Sequence, residues 1–164
     1  QERGRRPGTE NVAAIVALGA ACEIAHRDLA ATSARLAALR DQLHGLLAAR
    51  VPGLAVNGEG AERVPGTLSV RFPGVKGQEL LDATPEVAAS TGSACRFALD
   101  RAPDGILALG VPAQEAVGTV RLSIGRCTTA TDVERAADAL ARTWARLRPP
   151  SSQSPRLQVL QPSG

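Results

Sequence analysis

A chain of 164 residues with 44% hydrophobic and 21% charged side chains can bury a core and is too apolar for general disorder. Aromatics make up only 2%, with one Trp, two Phe and no Tyr, which argues against a base-stacking nucleic-acid surface. The net charge of +3 comes from arginines scattered among Asp and Glu, a solvated surface rather than a polyanion track. No apolar run reaches the roughly 18 residues of a membrane span, and Gln1 to Gly8 lacks the apolar core of a secretory signal. Cys22, Cys95 and Cys127 stand in dissimilar contexts without C-x-x-C spacing. They define neither a disulfide framework nor a zinc site, and the expected compartment is reducing and cytoplasmic. The absence of methionine implies a chain that begins inside a longer polypeptide or after processing.

Arg3 to Gly8 is basic and turn-rich, and Thr9-Glu10-Asn11 supplies a helix N-cap. From Ile15 through Leu18, Cys22, Ala25, Leu29, Leu36, Leu39 and Leu43 to Leu46, apolar positions recur at alternating spacings of three and four across one polar interruption at Thr32. That pattern predicts one long helix to about Ala49, with Cys22 in its apolar seam as a core residue. So long a face needs a partner surface: a sheet, another domain or an oligomer interface. His26 and His44 read as ordinary helix-surface residues. Pro52-Gly53 ends the helix, and short strands are expected at 54–58, at 67–72 and, after a helix beginning at Lys76, at 85–89. Gly105 to Leu109 reads as a helical turn, and Pro112 as the first residue of another. Val120 to Arg126 is an alternating strand. Thr129 and Asp132 have capping-box spacing, and Val133, Ala137, Leu140, Trp144 and Leu147 form the apolar face of a closing helix. The predicted class is α+β, a helix-covered, largely antiparallel sheet, with a disordered tail over 149–164.

Two stretches carry chemistry. Ser90-Thr91-Gly92-Ser93-Ala94-Cys95-Arg96 places a thiol among small, flexible residues beside a cation that favours thiolate, which reads as a reactive loop cysteine or as a small buried hydrophobe. In the 120–126 strand, Val120, Leu122 and Ile124 share one face while Arg121 and Ser123 share the other. Arg121 therefore projects from a rigid element with a fork suited to a carboxylate, either a ligand's or that of a surface ion pair.

Gln1 to Asn11, Ser90 to Cys95 and Val120 to Thr129, in that order and spacing, resemble the NifS-like cysteine desulfurases and the related selenocysteine lyases. These are pyridoxal-phosphate enzymes of aminotransferase fold type I, class V. The resemblance covers about residues 1–147 and implies a role for each motif. Cys95 would attack the sulfur of the cysteine–pyridoxal adduct and carry it as a persulfide. Arg121 would hold the substrate carboxylate, and Thr9 would reach the cofactor phosphate of the neighbouring subunit of a homodimer. The family's Schiff-base lysine follows a histidine in a large domain before the first motif; the only lysine here, Lys76, does not follow a histidine. The resemblance thus implies a C-terminal portion: a junction over 1–11, the small domain over 12–148, and the tail. The activity it implies is conversion of L-cysteine to L-alanine with sulfur passed to an acceptor protein for iron–sulfur or thio-cofactor synthesis. The alternatives are a selenocysteine lyase acting on L-selenocysteine, or an inactive binding or dimerising module. Cys127 has no counterpart that the family requires, so no thiol relay is expected there.

Overall fold

The computed structural model describes residues 2–4, 6, 8–92 and 102–148. The expected disordered tail over 149–164 lies outside them, as does Cys95. In chain order the elements are α1 (Val12–Arg50), β1 (Ala55–Val56), β2 (Thr67–Arg71), α2 (Gly77–Asp82), α3 (Asp104–Leu107), α4 (Ala113–Ala116), β3 (Thr119–Ser123) and α5 (Ala130–Leu147). The three strands form an antiparallel sheet in the order β1-β2-β3. The α+β expectation holds.

Asn11 caps α1, its side-chain oxygen accepting from the Ala14 N–H at 3.1 Å. At the other end Pro52 cannot continue the helix, and Gly53 takes the left-handed conformation at φ 84°. Only the C-terminal part of α1 is buried, through Leu39, Leu43 and Leu47. Upstream, Val12, Ile15, Leu18 and Leu29 are all more than half exposed, and Cys22 is exposed too. The expectation of a core Cys22 is therefore wrong for this chain. The reason is length: 39 helical residues run about 58 Å at 1.5 Å each, whereas a five-residue strand spans about 17 Å. The sheet cannot cover such a helix.

One sheet face, with Leu68, Val70, Val120, Leu122 and Ile124, joins the buried leucines of α1 and Val133, Ala137, Leu140 and Trp144 of α5 in a single core. Trp144 pays for burying its indole N–H by donating to the Pro73 carbonyl at 2.9 Å. α5 opens with the expected capping box: the Thr129 hydroxyl accepts from the Asp132 N–H at 3.2 Å, and the Asp132 carboxylate accepts from the Thr129 N–H at 2.9 Å. Pro112 is the cap of α4 rather than its first helical residue.

The strand expected at 85–89 is absent. Pro85 has no N–H to donate, the Thr84 hydroxyl is tied back to the Leu80 carbonyl at 2.7 Å, and the Val87 N–H closes a turn on the Thr84 carbonyl. A cleft of about 510 Å³ is lined by Glu86, Val87 and Ala88 of this segment together with Ser123 of β3 and Val133 and Ala139 of α5. Only Ser90 pairs with the sheet. Among the described residues no helix is long and apolar enough to cross a membrane.

Candidate active site

Antiparallel pairing sets what surrounds Arg121. β2 pairs with β3 so that Ser69 faces Arg121 and Arg71 faces Thr119. The burial of β3 alternates as the sequence parity predicts, with Val120 and Leu122 buried and Arg121 and Ser123 exposed. Arg121 thus stands on the sheet face opposite the core. Its backbone turns toward the free edge of β3, where its N–H donates to the Ser90 carbonyl at 2.6 Å and its carbonyl accepts from the Ser90 N–H at 3.2 Å.

Ser90 opens the stretch that contains Cys95, and the chain leaves the sheet there in a defined direction. The Ser90 hydroxyl donates to the Gly92 carbonyl at 2.8 Å and accepts from the Gly92 N–H at 3.3 Å. Next to it, the Thr91 hydroxyl donates to the Gln78 side-chain oxygen of α2 at 3.4 Å. Gly77 makes this approach possible. A Cβ there would lie 2.4 Å from the Thr119 carbonyl and 3.2 Å from Thr91 Cγ2, so no larger residue lets α2 sit against both β3 and this segment.

The same sheet face carries a second arginine, and the two differ in commitment. Arg71 donates to the Asn57 side-chain oxygen, and its Nε lies 3.7 Å from Glu115 Oε2. That separation is an ion pair without a hydrogen bond, and Nε has no other partner. Asn57, itself buried, donates in turn to Ser69 Oγ at 2.9 Å and Thr119 Oγ1 at 3.4 Å. Arg121 makes no ion pair and no side-chain hydrogen bond among the described residues. The surface ion pair that its sequence context allowed is therefore not formed among the described residues.

Thr9 is exposed, two residues before the Asn11 cap. At 1.5 Å per residue, the helix places it about 40 Å from Leu36, where α1 meets the sheet. The structure does not bring Thr9 and Arg121 together within one chain. Cys95 lies outside the described residues, five positions beyond Ser90. His26 is exposed and His44 half-buried on α1, as expected of helix-surface residues, and Cys127 is exposed on the turn after β3. Sequence reasoning did not find Ser90 as a strand partner or Gly77 as a packing requirement. The small residue that opens α2 was the available signal for the second.

The aminotransferase class-V family model matches residues 1–136. The chain belongs to that family. It is 40% identical over 157 residues to a cysteine desulfurase of Frankia sp. (strain EuIK1), covering 94% of this chain and 38% of the relative. It is also 40% identical over 147 residues to the cysteine desulfurase IscS of Anaeromyxobacter sp. (strain Fw109-5), covering 90% and 36%. A solved NifS-like protein superposes with a TM-score of 0.72 at 28% identity, over 90% of this chain and 37% of that one. A NifS-like protein from Rickettsia africae ESF-5, at 24% identity, also gives 0.72 and supports the fold. The chain therefore spans somewhat more than a third of the length of these relatives.

Pyridoxal phosphate needs an amine for its Schiff base and a surface for its ring. Lys76 lies with its ammonium 3.9 Å from Glu79, and the face around Arg121 offers Asn57, Ser69, Arg71 and Thr119 but no aromatic side chain. The described residues fit a carboxylate and not the cofactor ring, so they do not hold that group by themselves.

Proposed function

We propose that this chain is the C-terminal portion of a cysteine desulfurase. The observation that carries the reading is Arg121: exposed, without an acidic partner among the described residues, and bridged through its backbone to Ser90, the residue that opens the Cys95 segment. A forked cation on a stiff strand suits the α-carboxylate of an amino acid. Holding that carboxylate beside the base of the segment orients the substrate's thiol relative to Cys95. The overall transfer balances as L-cysteine plus the Cys95 thiol giving L-alanine plus the Cys95 persulfide. A sulfur–sulfur bond forms, the Cβ–S bond breaks, and a proton ends on the alanine methyl. From Cys95 the sulfur passes to an acceptor protein for iron–sulfur or thio-cofactor synthesis. Thr9, far along α1 from Arg121, reaches the cofactor phosphate of a second subunit, which makes the working unit a homodimer. The anchoring lysine comes from a domain outside this sequence.

The test is alanine release from L-cysteine and from L-selenocysteine with added pyridoxal phosphate. It compares this chain, a longer polypeptide carrying it together with a His-Lys-bearing domain, and that polypeptide with Cys95→Ala. The expected result is release from L-cysteine by the longer polypeptide, its loss on Cys95→Ala, and silence from this chain alone. Release from L-selenocysteine only makes the protein a selenocysteine lyase. Silence of every version on both substrates overturns the catalytic reading in favour of a binding module.

A further inference from the structure

Where α1 meets the end of the sheet, one of its exposed side chains gathers three backbone carbonyls from residues ninety or more positions away. Arg35 donates from Nη1 to the Thr128 carbonyl at 3.0 Å, and from Nη2 to the Arg126 carbonyl at 2.7 Å and the Gly125 carbonyl at 3.4 Å. These belong to the turn that joins β3 to α5. The turn's own closure is slight: the Thr128 N–H donates to the Gly125 carbonyl at 3.2 Å, and the Gly125 N–H to the Thr128 hydroxyl at 3.0 Å. Immediately before it comes the last rung of the β2–β3 ladder, in which the Ile124 N–H donates to the Gly66 carbonyl at 2.8 Å. The next side chain of α1, Leu36, closes on that rung. A Cβ at Gly66 would lie 2.7 Å from the Ile124 carbonyl and 3.4 Å from Leu36 Cδ1.

We propose that Arg35 is a positioning residue for Arg121, acting by fixing the C-terminal end of β3 against α1. The inference rests on the reading of Arg121 as the carboxylate-binding group. Among the described residues β3 is held along one edge by β2, but on its other edge only by the single bridge at Ser90. Beyond Ser123 the partners of the strand among them are the Gly66 rung and the arginine clamp. The guanidinium is suited to this because it is planar and presents its donors in a fixed fork, so two nitrogens reach three carbonyls from a side chain anchored on a rigid helix. A lysine, a compact point charge, cannot hold Thr128 from one side and Arg126 from the other at once. Arg121 lies four residues before Gly125 on a stiff strand, so slack at the turn reaches its fork as a small displacement. Displacements of about 1 Å in a substrate-positioning group cost up to about a hundredfold in rate.

The test has two readouts. In this chain, hydrogen exchange at the Gly125 and Thr128 amides should rise about tenfold or more on Arg35→Ala, while the α5 amides of the core stay as they were. In the longer desulfurase, Arg35→Ala should raise KM for L-cysteine about tenfold with kcat changed far less, and Arg35→Lys should stay nearer to the alanine variant than to the parent. Leu47→Ala, which opens a cavity in the core twelve residues further along α1 and away from the turn, should lower Tm and leave KM in place. Unchanged exchange at Gly125 and Thr128, an Arg35→Lys enzyme equal to the parent, or an equal rise of KM in Leu47→Ala would each overturn the proposal. An unmoved KM in Arg121→Ala would instead overturn the carboxylate reading, and the exchange result would still decide whether the clamp exists.

Discussion

Replacing Arg121 with alanine should separate function from stability more cleanly than any other change in this chain. The side chain is exposed on the outer sheet face and touches no carboxylate among the described residues, so its loss leaves none of their buried groups unpaired. Such surface substitutions stay within about 0.5 kcal/mol, which for a domain of this size moves Tm by no more than about 2 °C. The functional cost is of another order. A hydrogen bond to a charged group contributes about 1.5–3 kcal/mol, and a carboxylate takes two of them from the fork. Taking the lower figure for each, because the site is open to water, gives about 3 kcal/mol, or roughly a hundredfold in kcat/KM at 1.4 kcal/mol per decade. Thermal melting of this chain reads the first number, and alanine release by the longer enzyme reads the second. Arg121→Lys keeps the charge without the fork and should recover only part of the loss. A drop in Tm of 5 °C or more would show that Arg121 is a structural arginine, and an unchanged kcat/KM would refute its role in binding.

Three further changes probe the scaffold that aims this face. Gly77→Ala drives a methyl into the Thr119 carbonyl, 2.4 Å away, and should cost about 1–3 kcal/mol by pushing α2 off β3; denaturant midpoints within error of the parent would refute this. Trp144→Phe keeps the buried ring but strands the Pro73 carbonyl, at a cost of about 1–3 kcal/mol in chemical unfolding; a neutral result would mean that water replaces the indole N–H. The Asp132 carboxyl is held below the ordinary carboxylate range, first by the Thr129 backbone N–H and then by its hydroxyl. Because the folded pKa is the lower one, the capping contribution is complete above about pH 4 and is lost as pH falls through the folded value. The Tm gap between the parent and Asp132→Asn should therefore be widest near pH 7 and close below about pH 4. A gap that grows on acidification would contradict the sign.

Legibility from the sequence followed the range of the interaction. The α5 cap is written in two residues three apart, Thr129 and Asp132, and both the cap and the apolar face behind it form as read. The parity of β3 is equally local. The run from Ile15 to Leu46 announced a long helix, but periodicity does not record how much partner surface there is, so Cys22 was placed in a core that stops well downstream of it. At 85–89 alternation alone suggested a strand. Pro85, and a turn closed by Thr84 in competition with the ladder, left only Ser90 on the sheet.

What the sequence by itself determined is therefore the long and closing helices, the β2 and β3 strands, the face on which Arg121 stands, and the family, because caps, period-2 strands and short motifs act over a few residues. The tertiary structure alone decided that Arg121 has no ion-pair partner among the described residues while Arg71 is tied to Asn57 and Glu115. It also decided that Ser90 completes the backbone bonding of Arg121, that Gly77 must be small, and that Arg35 closes on the turn after β3. Each of these depends on partners brought together from distant positions by burial of the leucine, valine and tryptophan core, and no local pattern specifies which backbone carbonyl a folded chain will present to a guanidinium.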